Sequence, residues 1–272
     1  MNPSLEGPTL RLVTIPVSHY CEKARWALDR LQVDYVEEAH APLFSRLATW
    51  QLGAGAQVPV LVTQTEVVAD STRILQYSDH VFASEHKLYP SDPDLRREVE
   101  ELEELFDTRL GVSLRCWVYF HLLPQRELTL KMWCEGTPTL EQRLSRTLFP
   151  LTRQLITKAL DVNSESEATA FNETKNIFEM VSQQLSDGRR YLVGNTFTAA
   201  DLTFAALAAP VLMPKEYGVP LLEFEELPPE MAVRVAELQA MPAATYALRL
   251  FREERHNVQP TSANLQEAKQ TT

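Results

Sequence analysis

The segment "VSHYCEKARWALDRL" (17–31) sets a serine and a cysteine three residues apart, where a short β-rich run gives way to a helix. With Ser18 at the helix N-cap, Cys21 is the third helical residue, and both side chains meet the positive end of the helix. Two chemistries suit that placement. A serine hydroxyl can donate a hydrogen bond to a thiolate carried by a substrate and so hold that sulfur in its reactive form. Alternatively, the cysteine is itself the working thiol and forms a mixed disulfide. In S-x-x-C order the attacking first cysteine of a C-x-x-C pair is the one replaced, so Ser18 ranks ahead. The plain alternative for Cys21 is a small packed residue. His19 and Tyr20 stand beside both and are also within reach of a bound sulfur.

The elements that must hold this corner are legible around it. "TLRLVTIP" (9–16) reads as a strand, Tyr20, Ala24, Ala27, Leu28 and Leu31 recur at helical spacing, and "VDYVEEA" (33–39) reads as a second strand. A crossover helix of that length makes the two strands parallel. A loop with one short helix near Ser45–Trp50 follows. "VPVLVT" and "EVVAD" then form an antiparallel hairpin about Gln64–Thr65, and "STRILQYSDHVF" is a helix. The order βαβ-ββα predicts a four-stranded mixed sheet with helices in residues 1–82. The proline-bearing 83–92 reads as a linker. Residues 93–256 read as all-helical, with helices at 93–122, 138–160, 165–187, 199–211, 229–240 and 242–254. Asp92 and Pro93 open the first of these. In "FTAADL" (197–202), Thr198 and Asp201 make a capping box and Phe197 staples to Leu202. The polar tail 257–272 reads as disordered.

Composition narrows the function. Across 272 residues, 26 Lys and Arg stand against 37 Asp and Glu, a net charge of −11. Nucleic acid is not an expected partner, because phosphate binding needs clustered positive charge. A small anionic ligand remains compatible with a local site. No apolar run is long enough for a membrane span, with "FAALAAPVLMP" the nearest. The amino terminus shows no export signal. Three cysteines without C-x-x-C spacing fit a reducing compartment, hence a cytoplasmic location, and offer neither a disulfide framework nor a metal site. The acidic run "REVEELEELFD" reads as a solvated helix face.

The small βαβ-ββα domain followed by an all-helical one is similar to the glutathione transferase layout, whose first domain is thioredoxin-like. "SHYCEKARWAL" resembles the strand–helix corner of the serine-using classes. "QVPVLV" resembles the segment that ends in a cis-proline, and "ADSTRIL" the acidic-residue–serine pair at the next helix start. "FTAADLTFAALA" resembles the family's capping box and buried helix. The resemblance spans roughly residues 8–255, with 113–165 and 214–230 longer than the usual pattern. It implies a transferase, in a detoxification role, with glutathione as co-substrate, no metal, and a homodimeric assembly.

Carried onto this chain, the resemblance makes Ser18 the residue that favours the glutathione thiolate. Asp70 would take the γ-glutamyl ammonium, and Ser71 with the helix start would take its carboxylate. The Val58 backbone, before cis-Pro59, would pair with the cysteinyl backbone, and Gln57 and His40 would hold the glycyl carboxylate. Trp117, Phe120 and His121, with Tyr20, would line the pocket for a small apolar electrophile; core packing is the alternative for these aromatics. Two other functions remain open: a glutathione-dependent reductase or peroxidase using Cys21, and a non-catalytic binding or scaffold protein on the same fold.

Overall fold

The structure, a computed structural model, describes residues 10–255. The expectations for the amino terminus and for the 257–272 tail lie outside those residues. The described chain begins with β1 (Leu10–Thr14), α1 (His19–Arg30), β2 (Tyr35–Ala39) and α2 (Pro42–Gln51). It continues through β3 (Val60–Val62), β4 (Val67–Ala69) and α3 (Ser71–Val81). The strands form one sheet in the order β2-β1-β3-β4. β1 pairs parallel with β2 (Leu12 opposite Glu37) and antiparallel with β3 (Leu12 opposite Leu61), and β4 returns antiparallel to β3. This is the mixed thioredoxin-like sheet that the element order requires. Leu12, Leu28, Leu61 and Ile74 form its small core.

The remainder is helical: α4 (Pro93–Leu105), α5 (Val112–Leu122), α6 (Arg126–Cys134), α7 (Thr139–Ala159), α8 (Ser164–Gln184), α9 (Ala199–Leu212), α10 (Pro229–Gln239) and α11 (Pro242–Glu254). The apolar α9 is the hub, with all but one of its fourteen residues buried. Its start is fixed by Asp201, which accepts from the Thr198 N–H at 2.7 Å, the Thr198 hydroxyl at 2.9 Å and the Leu192 N–H at 2.7 Å. The Tyr246 hydroxyl also donates to it. No helix among the described residues is long and apolar enough to cross a membrane.

Three features differ from the sequence expectations. The helix expected at 93–122 contains a π-helical turn at Phe106–Gly111, which separates α4 from α5. Helix α6 fills a stretch that carried no start signal, and Gln125 before it makes no side-chain cap. The segment 83–92 has no helix or strand, yet Leu88 and Tyr89 are buried in the main core, and the Leu88 carbonyl accepts from Ala199 N–H at 2.9 Å.

The two lobes share that core. Trp26 of α1 is fully buried between Phe197 and Phe251, and its indole N–H donates to the Glu254 carbonyl at 3.3 Å. Burying a side chain of this size is worth several kcal/mol, so α1 belongs energetically to both lobes.

Candidate functional site

A cleft of about 840 Å³ opens between the lobes, of a size usual for small-molecule sites. One wall comes from the ends of β1 and α2, the turn before β3 and the first turns of α1 and α3. The other is built from α4, α5, the last turn of α7 and the 213–231 segment.

Ser18 is the N-cap of α1, with extended backbone, and its Oγ accepts from the Cys21 N–H at 3.4 Å. In that bond the hydroxyl is the acceptor, so the bond does not use its own proton. Ser18 lines the cleft, and so do His19 and Tyr20. Cys21 does not: it is fully buried under α1, and burial pushes its thiol up to about 11.

At the other end of this wall stand Gln57, Val58, Pro59, Asp70 and Ser71. The Val58–Pro59 peptide is cis. Asp70 caps α3 by accepting from the Arg73 N–H at 3.1 Å, and its own backbone is in the left-handed half of conformational space (φ +81°). That turn presents the first N–H groups of α3, with the buried Ser71 hydroxyl, to the cleft, an arrangement suited to a carboxylate.

Beneath Ser71 lies a buried ionic group that ties the lobes together. Lys23 Nζ, fully buried, sits 2.8 Å from Glu103 and 2.6 Å from Asp107, and donates to the Thr72 hydroxyl at 2.8 Å. Thr72 donates onward to Asp107 Oδ2 at 2.6 Å, and the Tyr89 hydroxyl donates to Glu103 at 2.7 Å. Above it, the Tyr20 hydroxyl donates to the Asp107 carbonyl at 2.7 Å, within the π-helical turn. Gly111 makes this possible, since a Cβ there would lie 2.3 Å from the Tyr20 oxygen.

Four of the expected residues stand elsewhere. Trp117 is fully buried on the far side of α5, packed at a tilt against Phe171 and donating to Glu167 at 2.9 Å. His121 lies 3.4 Å from the same carboxylate, and Phe120 packs edge-on against His121. Neither these three nor His40 lines the cleft. His40 Nδ1 is 2.7 Å from Glu141, whose other oxygen accepts the Ala41 N–H at 3.0 Å, so this histidine joins α2 to α7. The correction for α5 is one of helical phase. Val112, Arg115, Val118, Tyr119 and Leu122 recur at three- and four-residue spacing and face the cleft, whereas 117 and 121 fall on the opposite side.

Arg115 was not singled out from the sequence, and nothing but this phase could have found it. Its guanidinium lies 5.7 Å from the Tyr20 ring centroid. Close by, burial first and then the Arg115 charge push His19 down to about 3, so its imidazole is neutral, with Nε2 buried and unpartnered. Among the described residues no group of three or more His, Cys, Asp or Glu side chains is gathered for a metal ion.

Comparison with known proteins agrees with this fold. Residues 12–86 match the model for the glutathione S-transferase N-terminal domain, and residues 143–228 that for the glutathione S-transferase C-terminal domain, together more than half of the chain. No curated protein sequence matches it. The structure is similar to the beta-etherase LigF from a Sphingobium species (TM-score 0.56, 20% identity, 89% of this chain and 99% of that one). A glutathione S-transferase from Rhodospirillum rubrum gives TM-score 0.56 at 20% identity, over 93% and 97% of the chains. One from Methylobacillus flagellatus, solved with glutathione bound, gives 0.52 at 19%, over 88% and 98%. Identities this low speak to the fold alone.

Proposed function

The chain belongs to the glutathione S-transferase family, and from that premise we propose that it conjugates the glutathione thiolate to small, mostly apolar electrophiles, with Ser18 favouring the thiolate. The observation that carries this reading is the difference between two neighbours in one helical turn. Ser18 lines the cleft, while Cys21 is fully buried behind it with its thiol held protonated.

The magnitudes are adequate. A free thiol with a pKa near 8.5 is only about 3% ionised at pH 7. Lowering that pKa by about two units requires roughly 2.7 kcal/mol. One hydrogen bond from a hydroxyl to the thiolate supplies about 1.5–3 kcal/mol, and the start of α1 adds up to about 1 kcal/mol. The sulfur is the nucleophile in this scheme, and Ser18 stays unmodified. The rest of the tripeptide would lie along the same wall: its γ-glutamyl end at Asp70 and Ser71, its cysteinyl backbone against Val58, and its glycyl end near Gln57. A mixed-disulfide route through Cys21 would need that side chain to turn out of the core and lose its proton.

Conjugation of 1-chloro-2,4-dinitrobenzene by Ser18→Ala and Cys21→Ala variants tests the assignment. Ser18→Ala is expected to lose most of the turnover. Unchanged turnover in Ser18→Ala, or loss confined to Cys21→Ala, would reject it.

A further inference from the structure

The second-substrate side of the cleft carries Glu104, Asp107 and Thr108 and is otherwise mostly apolar. Leu114, Val118, Met213, Leu222 and Met231 form much of its wall, and Arg115 sits among them. Among the described residues, Arg115 is the one Lys or Arg side chain that is not exposed and has no ion-pair partner. The other unpaired arginines and lysines are all exposed. The cleft contains three carboxylates, Asp70, Glu104 and Asp107, and Arg115 pairs with none of them. Asp107 is bound to Lys23 and Thr72 through Oδ2, while its Oδ1 has no partner. The Arg115 Nε is buried and likewise unpartnered. Its neighbours on α1 bring no negative charge: His19 is neutral, and the Tyr20 hydroxyl is committed to the Asp107 carbonyl with its proton held on by burial. A half-buried guanidinium with no ion-pair partner, in a chain of net charge −11, is suited to receive an anionic group.

We propose that Arg115 determines specificity for the second substrate, binding a carboxylate on an otherwise apolar, aromatic electrophile. The Tyr20 ring, fixed by its hydrogen bond, offers a flat face beside the guanidinium, and the leucine and methionine wall takes the hydrocarbon. The glutathione carboxylates have other positions, at Ser71 and Gln57 on the opposite wall. The inference rests on the conjugation reading for the reaction but not for the recognition of the carboxylate, so the two fail separately.

The test uses 4-chloro-3-nitrobenzoate and its methyl ester, which share one reacting carbon. The glutathione thiolate attacks the carbon bearing chlorine, the C–S bond forms, and chloride leaves with the bonding pair. The ratio of kcat/KM for acid over ester, divided by the same ratio for the uncatalysed reactions, is expected to be about ten in the native enzyme. It should fall to about one in Arg115→Met and recover in part in Arg115→Lys, which keeps the charge. Calorimetry with 3-nitrobenzoate and its methyl ester reads the same preference as binding, without any chemistry. A carboxylate preference lost in Arg115→Met supports the proposal. Equal binding of acid and ester by the native protein overturns it, as does a preference that survives in Arg115→Met. So does a variant in which only the affinity for glutathione falls, because Arg115 would then serve the tripeptide. Carboxylate binding without conjugation of either electrophile would reject the transferase reading and leave this one standing.

Discussion

Replacing Lys23 by methionine, close in length but without charge, tests whether the ionic group under the cleft holds the lobes together. In the native protein one ammonium faces two carboxylates, Glu103 at 2.8 Å and Asp107 at 2.6 Å. Lys23 and Glu103 are almost wholly withdrawn from water, at 0% and 1% side-chain exposure. Removing the cation leaves the two anions with only the Thr72 and Tyr89 hydroxyls as donors. Breaking a buried pair in this way costs about 3–5 kcal/mol, chiefly for the charges left behind. For a chain of this length each kcal/mol lowers Tm by about 2–4 °C, so Lys23→Met should melt roughly 6–20 °C lower. Adding Glu103→Gln removes one of the orphaned charges. The double variant should therefore be less destabilised than the sum of the two single ones, with a coupling of about 1–3 kcal/mol. Thermal and urea unfolding of the four proteins in the cycle measures both quantities. A loss below about 1 kcal/mol for Lys23→Met, or strict additivity, would refute the reasoning and show that the group has no net worth over its desolvation. Thr72 follows Ser71 and is held by Lys23, so the same variant should also weaken glutathione binding.

The three cysteines should react in order of exposure. Iodoacetamide at pH 7.5 is expected to label the half-exposed Cys134 first and to spare Cys21, whose buried thiol stays protonated until pH is near 11; mass spectrometry showing Cys21 alkylated as fast as Cys134 would contradict its placement. His19 should make stability fall with acid. Its imidazole takes a proton near 6.5 when unfolded but only at about 3 when folded, so its contribution is complete above pH 6.5 and is lost below it at about 1.4 kcal/mol per pH unit. Urea unfolding at pH 7.5, 6.0 and 5.0 should show a shallower pH dependence for His19→Gln, and identical slopes would remove His19 as the cause.

The sheet and its crossover were legible because their signals are local. Alternating apolar residues, the 3.6-residue recurrence from Tyr20 to Leu31, and the Thr198–Asp201 pair each act within one element. The cleft is made by relations between elements, and there the sequence misleads. Aromatic character pointed to Trp117 and His121, but the helical phase of α5 turns them toward α8 and sets Arg115 in the lining of the cleft. The π-helical turn at 106–111 shifts that phase by one residue, and no spacing within 93–122 announces it. Asp70 was readable as a cap, but its φ of +81° depends on the junction of β4 and α3. His40 lay in a segment near the expected site, and only the long-range contact with Glu141 reveals that it bridges to α7.

The placement of the chemistry follows from how much of α1 is already committed. Nine of its twelve residues are buried, including Glu22, Lys23 and Arg25. Lys23 is tied to α4 and the π-helical turn, Arg25 to Glu37 at 2.6 Å, and Glu22 to Arg255 at 2.8 Å and to the Gly218 N–H at 3.1 Å. Helix α1 is therefore clamped on its flanks by the rest of the chain, and a ligand can meet it only at its open amino-terminal end. An α-helix rises about 1.5 Å per residue, so a side chain three positions further in sits most of a turn deeper. In the sequence S-H-Y-C this separates Ser18 at the mouth from Cys21 in the core. Tyr20, between them, is locked over Gly111, where an added Cβ would meet its oxygen at 2.3 Å. The same interlock fixes the face of α5 that carries Arg115 toward the cleft, so the Ser18 hydroxyl and the Arg115 cation are both positioned by a single packed junction between α1 and the π-helical turn.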